Sequence, residues 1–204
     1  MKRRKVYESL KRAMDIICSL IGLIVLMPIL LVVSILIKTE SKGPIIFSQD
    51  RVGKYGEKFK IYKFRSMVVN AEELKEKLAN ENERAGPMFK IKNDPRITKV
   101  GLFIRKTSID ELPQLVNILK GEMSIVGPRP SLPKEVKEFD DWMLKRLNVR
   151  PGLTCYWQVS GRNEIEFNQW MELDVKYVNE RNILIDMILI LKTFFVLFGD
   201  RNAS

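Results

Sequence analysis

Residues Ile16 to Ile37 form a run without one charged side chain, and nothing else in the 204-residue sequence restricts the fold as severely. A bilayer crossing takes about 20 apolar residues, so this stretch predicts a helix in lipid. A signal peptide has a shorter apolar core and a small-residue cleavage site, and neither is evident. Two features speak against an ordinary spanning helix. Pro28 lies mid-run, where it removes a backbone hydrogen bond and is expected to kink the helix. Basic residues also flank both ends, Lys2, Arg3, Arg4, Lys5, Lys11 and Arg12 before the run and Lys38 and Lys42 after it. Basic flanks favour the cytoplasmic side. A helix that enters, bends at Pro28 and returns keeps both flanks there; a single-pass anchor remains the alternative, because spanning helices tolerate proline.

The net charge of +10 points to anionic partners: phosphates, lipid headgroups or nucleic acid. Histidine is absent, which removes Ser-His and Cys-His nucleophile pairs and the HExxH zinc site. Any base, nucleophile or metal ligand must come from Asp, Glu, Lys, Tyr or Cys. Cys18 and Cys155 stand far apart and form neither a CxxC pair nor a disulfide framework.

The expected fold class is α/β, mixed and mainly helical. It comprises a compact membrane-embedded catalytic domain with an N-terminal re-entrant membrane helix and interfacial amphipathic helices. Residues 1–40 make the basic N-terminus and membrane helix, and 41–204 the catalytic domain. Pro44–Arg51 and Lys58–Arg65 read as a β-hairpin around Gly53-Lys54-Tyr55-Gly56. Val69–Arg84 reads as a charged surface helix stopped by Gly86-Pro87. Asn93-Asp94-Pro95 opens a helix over Arg96–Lys106. Ser108-Ile109-Asp110-Glu111 has the form of a capping box before the helix Leu112–Lys120, and Met123–Val126 is a short strand. Ile183–Phe198, which carries Asp186 and Lys192, is either an interfacial amphipathic helix or a C-terminal helix packed on the core.

Asp110 and Glu111 fall in the first turn of that predicted helix, where the macrodipole favours negative charge. An ionised aspartate there can attack phosphorus, and the adjacent carboxylate can hold Mg2+, which shares oxygen ligands with substrate phosphates. Simple capping explains the same residues. Arg105 lies just upstream, and Arg129, Arg150 and Arg162 stand beside prolines or glycines. Guanidinium groups on rigid turns suit a diphosphate, although each singly fits a surface or capping role. Neither a Walker A motif nor GxGxxG is present. Tyr156, Trp157, Phe167 and Trp170 either stack a nucleobase or fill the core.

Five segments then occur in order: Lys60-Ile61-Tyr62-Lys63-Phe64-Arg65-Ser66-Met67, Arg105 to Leu115, Lys120 to Pro130, Arg150-Pro151-Gly152-Leu153-Thr154, and Gln158 to Asn163. With the Pro28 segment they resemble the bacterial sugar transferases, the monotopic polyprenyl-phosphate phosphoglycosyl transferases, from about Arg12 to Phe198. The resemblance implies that Asp110 forms a covalent phosphosugar intermediate, with Glu111 beside it at Mg2+. It implies that Arg105 and Arg129 meet the substrate phosphates, with Lys63, Arg65, Arg150 and Arg162 as further substrate-binding cations. Pro28 and Arg12 would set the membrane topology. The implied donor is a UDP-sugar, the acceptor undecaprenyl phosphate and the leaving group UMP. The implied location is the cytoplasmic face of the bacterial inner membrane, in contact with phospholipid; a homo-oligomer is left open and nucleic acid is not expected.

Gly86 to Thr98 looks like the branch that acts on UDP-glucose or UDP-galactose in exopolysaccharide synthesis. Many members of that branch carry extra N-terminal membrane helices and a further domain, so the expectation is a minimal form. Met27 stands where some members have serine, and Cys155 where glycine is common. Two other classes are compatible with the charge: a non-catalytic basic protein of the membrane surface, and a nucleic-acid-binding module that would have to accommodate the run around Pro28.

Overall fold

A computed structural model describes residues 2–77, 91, 94–161 and 165–199. The first described element is helix α1, Lys2–Glu40, which runs on through Pro28. At 1.5 Å per residue such a helix reaches roughly 58 Å. Among the described residues it is the one helix long and apolar enough to cross a membrane. Pro28 leaves the Ile24 carbonyl without its usual donor. Ser34 Oγ does not replace it, but donates to Leu30 O at 2.6 Å, one turn back from itself.

Strands β1 (Ile46–Val52) and β2 (Lys58–Phe64) form the predicted antiparallel hairpin, in a register that pairs Ile46 with Phe64 and Val52 with Lys58. Helix α2 covers Ala71–Lys77; the rest of the predicted charged helix, with Gly86-Pro87, lies outside the described residues. Helix α3, Lys99–Lys106, begins three residues later than the sequence suggests. Asp94 is occupied in a two-point ion pair with Arg96, at 2.8 and 2.6 Å, and Ile97 bridges to Met67. Thr98 therefore becomes the N-cap and accepts from Gly101 N at 2.9 Å.

Helix α4, Gln114–Lys120, and strand β3, Ser124–Val126, follow. The short helices α5 (Pro133–Val136) and α6 (Asp141–Leu144) lead to strand β4, Gly152–Thr154, which pairs in parallel with β3. Gly127 and Gly152 let these backbones meet: a Cβ on Gly127 would lie 2.3 Å from Arg150 O, and one on Gly152 2.2 Å from Gly127 N. Helices α7 (Tyr156–Val159), α8 (Phe167–Glu180) and α9 (Ile183–Gly199) complete the fold.

Among the described residues the core comprises four apolar clusters, and α1 contributes to two of them. Leu23 packs on the cluster of Phe59, Ile61, Leu115, Ile118 and Met123. Val33 and Ile37 pack with Phe64 and Ile104. Polar contacts fix both ends of α1 to the same body. Near its start, Arg12 donates to Ile118 O and Leu119 O at 2.6 and 2.7 Å, and Asp15 accepts from Ser124 Oγ and Ile125 N at 2.9 and 3.0 Å. At its end, Glu40 accepts from Val100 N at 3.1 Å. The remaining surface of α1 is apolar and exposed, as at Ile21, Ile24, Val25, Leu31 and Ile35.

Helix α9 packs one face on the body and leaves another exposed. Asp186 and Leu189 are buried against the body, whereas Leu184, Met187, Leu191, Phe194 and Phe195 are exposed. Inside that interface Asp186 accepts from Tyr7, Lys11 and Tyr177 at 2.9, 2.8 and 2.8 Å, a full complement for a buried carboxylate.

Candidate active site

Asp110 and Glu111 do not lie in the first turn of an α-helix. They belong to a separate 3-10 turn, Ile109–Glu111, placed between α3 and α4. Ser108 takes a left-handed conformation, φ 55°, and its side chain makes no cap bond, so the predicted capping box does not form. Pro113 precedes α4, which starts only at Gln114. The turn therefore presents both carboxylates at a junction of three elements rather than along a helix axis.

Strand β2 brings Lys63 to this turn. Phe59, Ile61 and Lys63 share one face by the two-residue period of a strand; the first two enter the core and the third reaches its rim. Lys63 Nζ lies 2.5 Å from Glu111 Oε1. Buried Asn117 on α4 locks the register, accepting from Tyr62 N at 3.0 Å while donating to Lys60 O at 2.7 Å and to Glu122 at 2.6 Å. Strand β3 delivers Arg129 through the Gly127-Pro128 turn, and its guanidinium stands 3.8 Å from Glu111.

The Arg129 loop is braced from behind. Arg146 donates to Arg129 O at 2.7 Å, to Ser131 Oγ, and to buried Asp174 at 2.6 Å. Burial lifts the Asp174 carboxyl to about 6, with Arg146 opposing the rise. Trp157 lies beneath the Arg129 guanidinium, 5.9 Å from ring centre to Cζ. It also stacks on Trp170 at 4.7 Å within a cluster that includes Met143 and Met171. Trp157 and Trp170 are thus core residues, not a nucleobase platform.

These elements border a shallow cleft lined by Arg51, Ile61, Lys63, Glu111, Gln114, Arg129, Pro130, Gly152, Leu153 and Gln158. Half-buried Asp110 adjoins it in the same turn as Glu111. Its carboxyl is pushed up to about 6, first by burial and then by the Glu111 charge, against Lys63, Arg105 and Arg129. Arg105 is exposed on the last turn of α3, and its charge acts on Asp110 without a hydrogen bond among the described residues.

The other predicted cations sit elsewhere. Arg65 turns away from the cleft and donates to Ile37 O, Ser41 O and Lys42 O, closing the end of α1. Arg150 Nε donates to Gly121 O at 2.8 Å, at the end of α4 where Arg12 also binds. Cations at helix C-termini satisfy open carbonyls and oppose the dipole. Arg162 lies outside the described residues. Arg51, Gln114, Arg146 and Asp174 were not singled out from the sequence. Arg51 alone had a readable signal: the hairpin register sets it opposite Phe59, on the face that carries Lys63.

Among the described residues no three His, Cys, Asp or Glu side chains cluster. The adjacent pair Asp110 and Glu111 nevertheless suits Mg2+, which takes one or two carboxylates, retains several waters and shares substrate phosphates.

A helix long and apolar enough to cross a membrane, packed on the body that carries a cation-lined cleft and an acidic pair, is compatible with membrane association. The sequence pattern of the bacterial sugar transferases matches residues 6–200, and the chain belongs to that family. It is 49% identical over 95% of its length to the galactosyl transferase CpsE of Streptococcus agalactiae, covering 43% of that protein. It is 46% identical over 90% of its length to the undecaprenyl-phosphate galactose phosphotransferase of Salmonella typhimurium, covering 39%. To a putative undecaprenyl-phosphate N-acetylgalactosaminyl 1-phosphate transferase of Bacillus subtilis it is 48% identical, over 72% of this chain and 73% of that one. The chain thus spans about four tenths of the first two relatives.

Proposed function

We propose that the chain transfers a sugar-1-phosphate from a UDP-sugar to undecaprenyl phosphate, releasing UMP, by way of a phosphosugar covalently held on Asp110. The observation that carries this reading is the acidic turn itself, with Asp110 and Glu111 flanked by Lys63, Arg105 and Arg129. The names of the Salmonella and Bacillus relatives support the acceptor and the reaction class.

In the first step an Asp110 carboxylate oxygen bonds to the sugar-linked phosphorus, and the bond from that phosphorus to the bridging oxygen breaks. UMP departs with the electron pair. In the second step an oxygen of the polyprenyl phosphate bonds to the same phosphorus, and the bond to Asp110 breaks. The carboxylate is restored and the sugar is left on a lipid diphosphate. Splitting one displacement into two is covalent catalysis, and charge neutralisation is the main task in phosphoryl transfer. Lys63 and Arg129 supply fixed positive charge at the cleft, and Arg105 supplies it on the α3 side. Mg2+ held by Glu111, with Asp110 beside it, would add to that neutralisation.

Seating at the cytoplasmic face of the inner membrane, with α1 re-entrant, rests on the attachment of both ends of α1 to one body. Arg12 and Asp15 bind near one end and Ile37 and Glu40 near the other. A helix that crossed the bilayer would carry one of these ends to the opposite side. The exposed Leu102 and Phe103 of α3 and the outer face of α9 support interfacial roles for those helices.

The test is a panel of UDP-sugars scored for UMP release with undecaprenyl phosphate present, with and without EDTA. Release from at least one sugar, lost with EDTA and restored by Mg2+, is the expected result. Lack of release from every sugar would defeat the reading and favour a non-catalytic membrane-surface protein.

A further inference from the structure

Arg51 lines the cleft with a donor that its contacts in the fold leave unsatisfied. Its side chain is half-buried and lines the cleft beside Glu111 and Arg129. Nη1 donates to Pro130 O at 3.2 Å and Nη2 to Gln49 Oε1 at 2.9 Å, both neutral acceptors. Nε is buried and has no partner, and among the described residues no carboxylate lies within ion-pair distance of the guanidinium. Burial and the neighbouring Arg129 charge pull its pKa down to about 10, an environment that disfavours a cation. A buried, unneutralised guanidinium next to a second one is costly unless an anion joins them. The same cleft holds Gln114, almost fully buried, whose side-chain amide nitrogen also lacks an acceptor. Two unpartnered donors among the residues lining one cleft fit a ligand that presents only acceptors, as phosphate oxygens do.

The order of charges along the cleft assigns the phosphate. Glu111, in the turn that carries Asp110, lies 2.5 Å from Lys63 and 3.8 Å from Arg129. Arg51 is held instead on Pro130 O, one residue beyond Arg129, at 3.2 Å. Arg129 therefore meets the acidic turn, and Arg51 meets the loop that continues from Arg129 away from that turn. A diphosphate attacked at one phosphorus by Asp110 must extend its second phosphate away from the nucleophile, because the leaving oxygen departs roughly in line with the attack.

Resting on the reaction proposed above, we propose that Arg51 binds the phosphate that leaves with the nucleoside, so that it grips the nucleoside monophosphate portion of the donor. Negative charge grows on that phosphate as the bridging bond breaks, and Arg51 is placed to receive it.

The test is equilibrium binding of UMP and of uridine, with Mg2+ present, to the purified full chain and to its Arg51→Gln and Arg51→Lys variants. These two ligands differ only by the phosphate. The preference for UMP over uridine should fall about tenfold or more in Arg51→Gln and partly return in Arg51→Lys, with uridine binding unchanged within about twofold. If UMP and uridine weaken together, Arg51 merely supports the Pro130 loop and the proposal is overturned. An unchanged preference overturns it equally. Binding does not require turnover, so an inactive variant still reports. Failure of the proposed function itself looks different: the parent chain would then release no UMP from any UDP-sugar.

Discussion

Replacing Asp110 with asparagine should remove activity and at the same time stabilise the fold. The Asp110 carboxyl is raised from 3.8 to about 6 because burial and Glu111 disfavour its charge more than Lys63, Arg105 and Arg129 favour it. At about 1.4 kcal/mol per tenfold change, that rise corresponds to roughly 3 kcal/mol. Partial exposure reduces the amount to about 1–2 kcal/mol. The sign follows from linkage: a folded-state pKa above the unfolded one means that the folded chain holds the proton more tightly. Asp110 is therefore harmless below about pH 4, and its cost develops as pH rises through about 6. Asparagine keeps the shape and never ionises. In lipid nanodiscs with EDTA, to exclude bound metal, Asp110→Asn should melt about 3–6 °C above the parent at pH 7.5. The two should converge near pH 4. UMP release by the variant, assayed with Mg2+ at pH 7.5, should be lost. A variant that melts below the parent at pH 7.5 would refute the electrostatic argument, and turnover within tenfold of the parent would refute the nucleophile.

Three further outcomes follow from the packing. Arg146→Met leaves Asp174 as a buried, unpaired carboxylate, so it should cost about 3–5 kcal/mol in chemical denaturation; Asp174→Asn should cost less, and equal losses would show that the buried charge is not the issue. Gly127→Ala forces a Cβ to within 2.3 Å of Arg150 O, and should cost about 1–3 kcal/mol and lower donor affinity through Arg129, whereas parental stability would show that the strands part freely. Cysteines at Lys5 and Lys42, in a Cys18→Ala, Cys155→Ala background, should both be shielded from an impermeant thiol reagent in intact cells and both react once the inner membrane is opened; labelling of one site alone from outside would establish a spanning helix.

Much of the fold was readable because its signals are local. The hairpin follows from two Ile- and Phe-rich runs around Gly53 and Gly56, and the apolar helix from the absence of charge between Ile16 and Ile37. The apparent capping box around Asp110 misled because Ser108 adopts a conformation in which its hydroxyl cannot reach the next turn. That choice is set by the junction of α3, β2 and α4, a tertiary constraint that the four residues do not encode. The arginines divide for a similar reason. Arg12, Arg65 and Arg150 satisfy carbonyls at the ends of helices that lie distant in sequence, whereas Arg129 faces the cleft. Proximity to glycine or proline selects rigid turns but does not say which way a side chain points. The Arg146–Asp174 pair joins positions 28 apart on separate elements, so only the folded chain discloses it.

The attachment of α1 gives this long apolar helix a part in positioning the elements around the cleft. Arg12 binds the carbonyls that end α4, whose other end follows Glu111 through Leu112 and Pro113. Asp15 binds β3 at Ser124 and Ile125, and β3 leads through Gly127 to Arg129. Lys11 and Tyr7 reach Asp186, which also accepts from Tyr177; the Tyr177 hydroxyl in addition lies 3.1 Å from Val126 O, just before the same turn. The acidic turn and Arg129 reach the cleft from different elements, and α1 holds a residue at the base of each. Their separation is consequently set by the contacts of α1 as well as by the 3.8 Å approach of Arg129 to Glu111. A helix that served only as a tether would need a flexible joint and no buried polar side chains. Here Asp15 is 1% exposed and Lys11 8%, and such groups are tolerated inside a protein only when their partners are held in place. The geometry of the cleft is therefore set in part by α1, the helix proposed above to sit in the membrane.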